Sequence, residues 1–481
     1  MRLHDIARES FWLDEAGRAA IAHLPLSQIP GAVSVVELSP PLYHLLLHVW
    51  MLAFGDTDAA LRLFSAVLVV PTVAVAWSLG TAVAGPRSGL LTAVLAALHP
   101  FAIRYGQEAG MYALLLCLSL ATTRAAVDAL ATGADTGESA RALRKRRARG
   151  LAAYVVFGAL SLYTHYYAVY LLASVALVGV ARSAQQRSRH GLVLWSAAHG
   201  VIALAFVPWL PAMAQQARLA ASVTDWDGVT LAGALTHWCA TALADGAPWS
   251  QSLLSVLVLV WLAAAGVMRI GRNTPSIWLM GVIAVGPAIA AGLVSLGLHS
   301  FRDRGFMVAV GATWVLLAAA IGGVRDLPRF DRAGRAFVAV AAAAMAISGI
   351  VFDATEHKED WRGAAGMVAG GAGINDPIFL IHYGAQIPFD RYFSGSQPRI
   401  GLPANFDWTR GYAARYVATT ADIEARVVPA LEHTRQAWAV LSHDEGRGSA
   451  TLLAALDRWG TPVEDRDFHA VRVVRYRARG A

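Results

Sequence analysis

Long apolar runs separated by short polar connections occupy about the first three quarters of the chain. A helix that crosses the hydrocarbon core of a membrane needs about 20 consecutive, mostly apolar residues. By this criterion the pattern predicts ten membrane-spanning helices, of which the fourth and fifth are the shortest. They cover residues 61–83, 88–104, 109–131, 151–165, 167–181, 191–211, 251–269, 276–298, 306–323 and 336–352.

The pattern changes at about residue 353, where the apolar runs become short. Short strands that alternate with helices of about ten residues are typical of an α/β domain. The sequence therefore predicts a small α/β domain over residues 353–481, with a supporting or acceptor-binding role. Its predicted strands are Ile378–Ile381, Ala437–Leu441 and Ala470–Tyr476, and its predicted helices are Ala421–Leu431 and Ser449–Trp459.

Residues 40–54 form an apolar run that is too short to span a membrane and opens with two prolines. We expect a helix that lies in the membrane interface and belongs to a first outer segment, residues 1–60. A helical membrane body over residues 61–352 separates this segment from the α/β domain. Because no apolar span precedes the outer segment, we expect an upstream start codon or a further helix before Met1.

Composition also places the chain in the membrane class, since 56% of its residues are hydrophobic, 15% are charged and the mean hydropathy is +0.47. The net charge of +7 resides in short basic runs between apolar segments, which orient a membrane protein and do not form a nucleic-acid-binding face. Cys117 and Cys239 provide neither a metal-ligand spacing nor a disulfide framework. No residue pattern indicates a divalent cation or another cofactor.

The basic residues predict the orientation of the helices. One set of alternate connections contains sixteen Lys or Arg residues, and the other set contains four. Cytoplasmic loops carry the excess of Lys and Arg, so the first set is expected in the cytoplasm. The predicted extracytoplasmic parts are residues 1–60, the loops near 105, 165, 212–250 and 299–305, and the C-terminal domain.

Several polar residues lie near the predicted outer ends of the spans. Arg104, Gln107 and Glu108 end one span, and Tyr112 opens the next. An ionisable residue near membrane depth is costly and is often functional. An ion pair between Arg104 and Glu108 at the interface explains these residues equally well.

Two further outer groups have alternative interpretations. His165 and Tyr166 lie at a hairpin tip, where a lone histidine is either a hydrogen-bonded structural residue or a catalyst. Arg302 and Arg304 flank Asp303, and guanidinium groups suit a phosphate because they stay charged and offer forked donors. Contact with lipid headgroups accounts for the two arginines as well.

Five segments stand in one order along the chain, and the first contains the adjacent carboxylates Asp14 and Glu15, which alone could be a solvated surface pair. The segments are Ser10-Phe11-Trp12-Leu13-Asp14-Glu15-Ala16, Ser39-Pro40-Pro41-Leu42-Tyr43, His99-Pro100 followed by Tyr105-Gly106-Gln107-Glu108-Ala109-Gly110-Met111-Tyr112-Ala113-Leu114, Leu162-Tyr163-Thr164-His165-Tyr166, and Asp360-Trp361-Arg362-Gly363-Ala364-Ala365. Together they resemble the GT-C glycosyltransferases related to family 39, which include the protein O-mannosyltransferases and the lipid A aminoarabinose transferases.

The resemblance implies an inverting transferase of the cell membrane. It would move a sugar from a polyprenyl-phosphate carrier to a protein, lipid or glycan acceptor at the outer face. It also assigns the catalytic acid pair to Asp14 and Glu15. Displacement of a phosphate from an anomeric carbon needs a base for the acceptor proton, and here that base is Asp14. Glu15 or Glu108 would orient the base or the sugar hydroxyls.

The same displacement needs cations that hold the charge of the leaving phosphate. The candidates for this role are Arg302, Arg304 and Arg104. The remaining substrate-binding candidates are Gln107, Glu108, Tyr112, His165 and Tyr166. The chain departs from the family pattern at Ser39, where a histidine is usual, at Gly110, where an arginine is usual, and in the missing membrane helix before the acid pair.

Two other functions, and one other class of donor, fit the sequence less well. A transporter or lipid flippase would also have many spans, but internal repeats and helices broken near the midplane are typical of transporters, and here the charges gather at the outer ends. A membrane protease is disfavoured because His-Glu-x-x-His and Gly-x-Ser-x-Gly are absent from the sequence. Since no cytoplasmic domain is predicted that could hold a nucleotide sugar, a lipid-linked donor is favoured.

The predicted orientation can be tested with fusions after Ala481. We expect an alkaline phosphatase fusion to be active and a green fluorescent protein fusion to be dark, because the C-terminal domain is predicted to lie outside. The opposite pair of results would show that the assignment of the loops, and of the acid pair with them, is inverted.

Overall fold

The computed structural model describes residues 5–132, 139–223, 233, 235–237, 275–298, 303–322, 357–409, 418–443 and 447–480 of the chain. Contacts divide the protein into two compact units. The first, here called the helical body, comprises Met1–Leu3, Leu63–Leu210 and Asp225–Ala354. The second, here called the composite unit, comprises His4–Arg62, Pro211–Thr224 and Thr355–Ala481.

Three short helices open the described chain: α1 (Leu13–His23), α2 (Ile29–Val36) and α3 (Leu42–Phe54). The first turn of α1 carries two carboxylates, which are favourable near the positive end of a helix dipole. Helix α3 begins directly after the two prolines and ends at Gly55, whose φ of 80° is a left-handed conformation that favours glycine. The apolar run at 40–54 is therefore a helix, and its place in the membrane interface stays a prediction.

The described middle of the chain is mainly helical. The helices are α4 (Asp58–Val67), α5 (Val69–Leu98), α6 (Pro100–Gly106), α7 (Tyr112–Leu130), α8 (Ala140–Thr164), α9 (Ala168–Gln185), α10 (Arg189–Phe206), α11 (Leu210–Val223), α12 (Pro275–Leu298) and α13 (Met307–Gly322), with 3₁₀ turns at Val207–Trp209 and Asp303–Phe306.

Small residues allow the helices of the body to pack closely. Helix α7 packs against α8, and a Cβ placed on Gly150 of α8 would lie 2.6 Å from the backbone nitrogen of Ala129. The hydroxyl groups of Thr122 and Ser161 lie 3.2 Å apart across the same pair of helices. Small residues and hydroxyl contacts of this kind are typical of helix packing in membranes.

Five of the described helical segments are long and apolar enough to cross a membrane, so the predicted count of ten is not confirmed. These segments are Asp58–Leu98, Tyr112–Leu130, Ala168–Gln185, Arg189–Leu219 and Arg304–Ile321. The predicted spans 251–269 and 336–352 lie outside the described residues.

Two predicted connections have a different structure. The break expected near Arg87 is a kink within α5, where Gly85 has a φ of 87° and Pro86 follows. The basic run at 141–149, predicted as a connection, forms the first part of helix α8. Arginine and lysine are good helix formers, and Ser139 caps the helix by accepting a hydrogen bond from the Ala142 N–H, so the charge pattern did not reveal this helix.

A five-stranded sheet forms the centre of the C-terminal part of the composite unit. Its elements are α14 (Trp361–Gly371), β1 (Ile378–Ile381), α15 (Gln386–Tyr392), β2 (Arg399–Leu402), α16 (Thr420–Leu431), β3 (Gln436–Leu441), α17 (Arg447–Trp459), β4 (Gly460–Phe468) and β5 (Val471–Ala478). The strand order is β2-β1-β3-β5-β4, with β2, β1 and β3 parallel and β5 and β4 antiparallel.

Both faces of the sheet are buried at β1, whose successive side chains point to opposite faces. Phe379 and Ile381 of β1 pack in a core with residues of α16 and α17. Ile378 and Leu380 of the same strand pack in a second core with residues of α14 and α15. The continuous apolar run of β1 is thus the pattern expected for a strand covered by helices on both sides.

The five elements predicted for the C-terminal domain are confirmed with small shifts of their ends. Four further elements were not predicted from the sequence: α14, α15, β2 and β4. Strand β4 has a mostly exposed polar sequence at the edge of the sheet, and α14 consists largely of glycine and alanine, which weakens its hydrophobic pattern. The domain boundaries proposed from the sequence stay a prediction.

Candidate active site

The acid pair lies in the first turn of α1, and the structure gives its two members different environments. Glu15 is completely buried. Arg62 donates to both of its oxygens, with Nε 2.8 Å from Oε1 and Nη2 2.6 Å from Oε2. Lys358 Nζ lies 2.9 Å from the same Oε2 atom. Glu15 is therefore a buried carboxylate held by two cations, as a buried charge requires.

Asp14 remains accessible, since 39% of its side chain is exposed. Its Oδ2 atom lies 3.3 Å from Nη2 of Arg18, one helical turn further along α1. The Nε atom of Arg18 lies 3.6 Å from Oε1 of Glu37, so one buried guanidinium connects two carboxylates. Of the adjacent acids, Asp14 is the one that can meet a molecule from solvent.

The segment before α1 is fixed by stacking and hydrogen bonds. Two guanidinium groups lie over the Phe11 ring, with Arg62 at 4.8 Å and Arg391 at 4.4 Å from the ring centroid. The Tyr392 hydroxyl accepts from the Phe11 N–H at 2.7 Å and donates to Asp58 at 2.5 Å. Burial and this bond to a carboxylate raise the pKa of Tyr392 to about 12, so it remains a donor.

A residue from the C-terminal part caps the acid-bearing helix. Glu359 Oε2 accepts hydrogen bonds from the Leu13 N–H at 3.1 Å and from the Trp361 indole at 2.6 Å. The backbone carbonyl of Glu359 also accepts from the Ser10 hydroxyl at 2.6 Å. The first N–H groups of a helix have no partner within the helix, so this carboxylate satisfies one of them and complements the helix dipole.

Buried polar atoms accumulate at the start of α3. Ser39 Oγ and both ring nitrogens of His44 are buried and have no hydrogen-bond partner in the described part of the chain. The His44 Nε2 atom lies 3.5 Å from Glu37 Oε1, and the Gln216 amide donates to the carbonyl of Ser39 at 3.2 Å. Because such groups are usually satisfied, this region is suited to additional polar partners.

The candidate residues in the helical body occupy a different setting. Arg104 lies in α6, with its guanidinium carbon 5.6 Å from the centre of the Tyr105 ring. The Gln107 N–H ends this helix by donating to the carbonyls of Ile103 and Arg104, and Glu108 is 5% exposed.

A chain of aromatic rings joins several of these candidates within the helical body. The Tyr112 ring lies 4.8 Å from that of Tyr105 and 5.7 Å from that of His165. The His165 ring is 5.4 Å from that of Tyr167, which contacts the Phe306 ring at 6.5 Å. Phe306 ends the 3₁₀ turn that contains Arg304, so the ring chain leads to one predicted phosphate-binding arginine.

The Tyr166 hydroxyl accepts a hydrogen bond from the Trp209 indole at 2.9 Å and keeps its own proton for donation. Arg302 lies outside the described residues. Among the described residues, no group of three or more His, Cys, Asp or Glu side chains is arranged to hold a metal ion.

Sequence reasoning missed most of the residues that hold the acid pair. Arg18 could have been found, because it stands four residues after Asp14 and therefore on the same face of a helix. Arg62 could also have been found as a charge at the edge of an apolar span. Lys358 and Glu359 directly precede the recognised segment Asp360–Ala365, but no local signal connects them with the acid pair, since they lie more than 340 residues further along the chain.

Comparison with solved structures identifies the fold. ArnT from Cupriavidus metallidurans in the apo state aligns with a TM-score of 0.64 and 14% identity, over 96% of this chain and 93% of that chain. ArnT bound to undecaprenyl phosphate aligns with a TM-score of 0.61 and 14% identity, over 98% of this chain and 95% of that chain. The apo oligosaccharyltransferase from Archaeoglobus fulgidus aligns with a TM-score of 0.55 and 14% identity, over 94% of this chain and 69% of that chain.

The chain shares the fold of ArnT and of the Archaeoglobus fulgidus oligosaccharyltransferase. It is a membrane protein, in agreement with the five long apolar helices found among the described residues. No protein-family profile and no curated protein sequence matches the chain, so the similarity concerns the fold alone.

The environment of Glu15 predicts a stability difference within the acid pair. Glu15→Gln removes the charge that balances Arg62 and Lys358, and breaking a buried ion pair costs about 3–5 kcal/mol. We expect the thermal unfolding temperature of the purified protein in detergent to fall. Asp14→Asn is the matched control, and it should leave the unfolding temperature nearly unchanged because Asp14 is partly exposed. Equal unfolding temperatures for the two variants would contradict this assignment.

Proposed function

We propose that this protein is an inverting glycosyltransferase that moves a sugar from a polyprenyl-phosphate donor to a hydroxyl acceptor at the outer face of the membrane. Asp14 acts as the general base in this proposal. The acceptor is a protein, a lipid or a cell-envelope glycan. The relation to family 39 belongs to the same proposal, as does the outer location of the acid pair.

The fold supports the reaction class. One of the similar structures is ArnT in complex with undecaprenyl phosphate, a polyprenyl phosphate. Another is the Archaeoglobus fulgidus oligosaccharyltransferase tethered to an acceptor peptide. That structure aligns with a TM-score of 0.50 and 12% identity, over 88% of this chain and 64% of that chain. Since these proteins are transferases by name or bind a lipid phosphate, the fold favours a transferase over a transporter or flippase.

The observation that carries the proposal is the unequal burial of the acid pair. Asp14 is partly exposed and held from one side by Arg18, while Glu15 is buried between Arg62 and Lys358. A general base must reach the proton that it abstracts, and its orientation must be fixed by its surroundings. Asp14 meets both requirements, and Glu15 holds the helix that carries it.

The reaction is a single displacement. Asp14 takes the proton of the acceptor hydroxyl, and the acceptor oxygen forms a bond to the anomeric carbon. The bond between that carbon and the phosphate oxygen breaks, and its electron pair leaves with the polyprenyl phosphate. Attack opposite to the leaving group inverts the anomeric configuration. The charge that develops on the phosphate needs cations, for which we propose Arg104, Arg302 and Arg304.

The chemistry predicts a large effect of Asp14→Asn on turnover. This substitution keeps the size and hydrogen bonding of the side chain but removes the proton acceptor, and a positioned general base contributes about 100- to 10,000-fold. We expect the rate of sugar transfer from synthetic polyprenyl-phosphate sugars to fall by about this factor, while donor binding persists. The measurement uses purified protein in nanodiscs with a panel of hexose and pentose donors.

Asp5→Asn provides a matched control, because Asp5 is an exposed carboxylate in the same N-terminal segment. It should transfer sugar at the wild-type rate. If Asp14→Asn also transfers sugar to a hydroxyl acceptor at that rate, Asp14 is not the base. An acceptor that is already ionised, such as a phosphate, would then explain the reaction without a base.

The proposed role of Arg304 predicts a defect in donor use. Arg304→Ala should raise the donor concentration required for half-maximal transfer and slow the reaction, and Arg304→Lys should restore activity only in part because a point charge lacks the forked geometry. Arg218→Ala, at an exposed arginine, is the control and should behave like wild type. Unchanged donor dependence in Arg304→Ala would assign Arg304 to contact with lipid headgroups.

A further inference from the structure

His443 lies directly beyond β3, at the carboxyl end of the parallel part of the sheet. Its backbone has a φ of 56°, and His382 follows the neighbouring strand β1 with a φ of 59°. The two rings lie 5.7 Å apart. A left-handed conformation is uncommon for residues other than glycine, although asparagine, aspartate and histidine adopt it more often than the rest. His443 is therefore distinguished by its contacts and not by its backbone conformation.

The chain changes direction on either side of these two histidines. It leaves β1 through α15 towards β2, and it leaves β3 through α17 towards the antiparallel strands on the other side. The carboxyl ends of β1 and β3 therefore form a topological switch point, where open α/β sheets place their functional groups. His443 thus lies at the edge of the sheet where open α/β sheets bind their ligands.

His443 contacts the carboxylate that caps α1. Its Nε2 atom lies 2.9 Å from Glu359 Oε1, and its Nδ1 atom lies 2.5 Å from the Ser442 hydroxyl. The other oxygen of Glu359 accepts from the Leu13 N–H, next to Asp14. A continuous chain of hydrogen bonds therefore leads from the imidazole through Glu359 to the turn that carries Asp14.

The ring keeps these hydrogen bonds in both protonation states. A carboxylate can only accept, so Nε2 carries a proton towards Glu359. The Ser442 hydroxyl accepts from Nδ1–H in the cationic ring and donates to Nδ1 in the neutral ring. Titration of His443 therefore changes the charge opposite Glu359 without breaking the hydrogen bonds.

The charges around His443 favour the cation. Burial alone would lower its pKa, but the hydrogen bond with Glu359 and the charges of Glu359 and Asp14 outweigh burial and raise the pKa above the ordinary value of 6.5. The titratable group that faces it from β1 is His382. Since the pKa is raised by folding, the stabilisation is complete below pH 6.5 and is lost as the pH rises through the higher folded value.

We propose that His443 is a positioning residue whose cationic ring holds Glu359 at the N-terminus of α1 and thereby fixes Asp14 for transfer. This inference rests on the proposed function of Asp14, and it adds a residue of the C-terminal α/β domain to that function. Charge-assisted hydrogen bonds are roughly twice as strong as neutral ones, so the contact between His443 and Glu359 weakens when the ring loses its proton. The acid-bearing turn then becomes less well ordered.

The substitution His443→Gln isolates the charge, because the glutamine amide can donate to Glu359 but stays neutral. We expect the turnover number at pH 6 to fall about 5- to 10-fold, with little change in the Michaelis constant for the donor. Wild type should approach the variant as the pH rises, because its histidine then becomes neutral too. His443→Lys should restore part of the activity at high pH.

His433→Gln is the matched control, since His433 is an exposed histidine of the same domain with a φ of 68°. It should leave both turnover and its pH dependence unchanged. A double variant with Glu359→Gln should show no further loss over Glu359→Gln alone, because the histidine acts through that carboxylate.

Hydrogen exchange provides a readout that does not require transferase activity. Protection factors of peptides covering residues 10–18, corrected for intrinsic rates, should be about 5- to 10-fold lower in His443→Gln than in wild type at pH 6 and similar at high pH. If wild type transfers no sugar but shows this difference, the proposed function fails and the positioning role stands. Equal protection at pH 6, or an equal loss at every pH, would overturn the positioning role.

Discussion

The buried contact of Glu15 with Arg62 and Lys358 is the interaction on which the rest of the candidate site depends. A carboxylate without exposure to water is tolerated only when cations and hydrogen bonds replace its hydration. The contact of Glu15 with the two cations fixes the first turn of α1, and it therefore restricts the position of the neighbouring Asp14. The two adjacent acids thus have different environments: Asp14 is partly exposed, and Glu15 anchors the helix.

The sequence predicted helices and strands better than it predicted contacts between distant residues. Strand β1 and helix α3 were recognisable because their apolar runs have a length that only one element fits, whereas α14 and β4 have compositions that suit several structures. The distribution of the basic residues predicted connections between spans, but it did not predict the helix over Ala140–Thr164. Charge indicates on which side of the membrane a segment lies, and it does not indicate the secondary structure of that segment.

The candidate site was predicted in part. Asp14 and Glu15 were recognised from a motif, but their unequal burial depends on Arg62 and on residues near 358, which no local pattern links to them. The contact between His443 and Glu359 could not be predicted, because His443 lies at the end of a strand whose neighbours are set by the sheet order. Long-range contacts of this kind are decided by tertiary packing, and a single sequence does not contain them explicitly.

The composite unit combines residues that are far apart in the sequence, so its contacts form at different times during synthesis. Glu15 is made early, but its partner Lys358 follows 343 residues later. At about 5–20 residues per second, this interval is roughly 20 to 70 seconds. During that time the nascent α1 lacks the Lys358 contact and its Glu359 cap. The acid pair therefore reaches its final geometry only after synthesis has passed Glu359, and a product that ends before Lys358 cannot complete it.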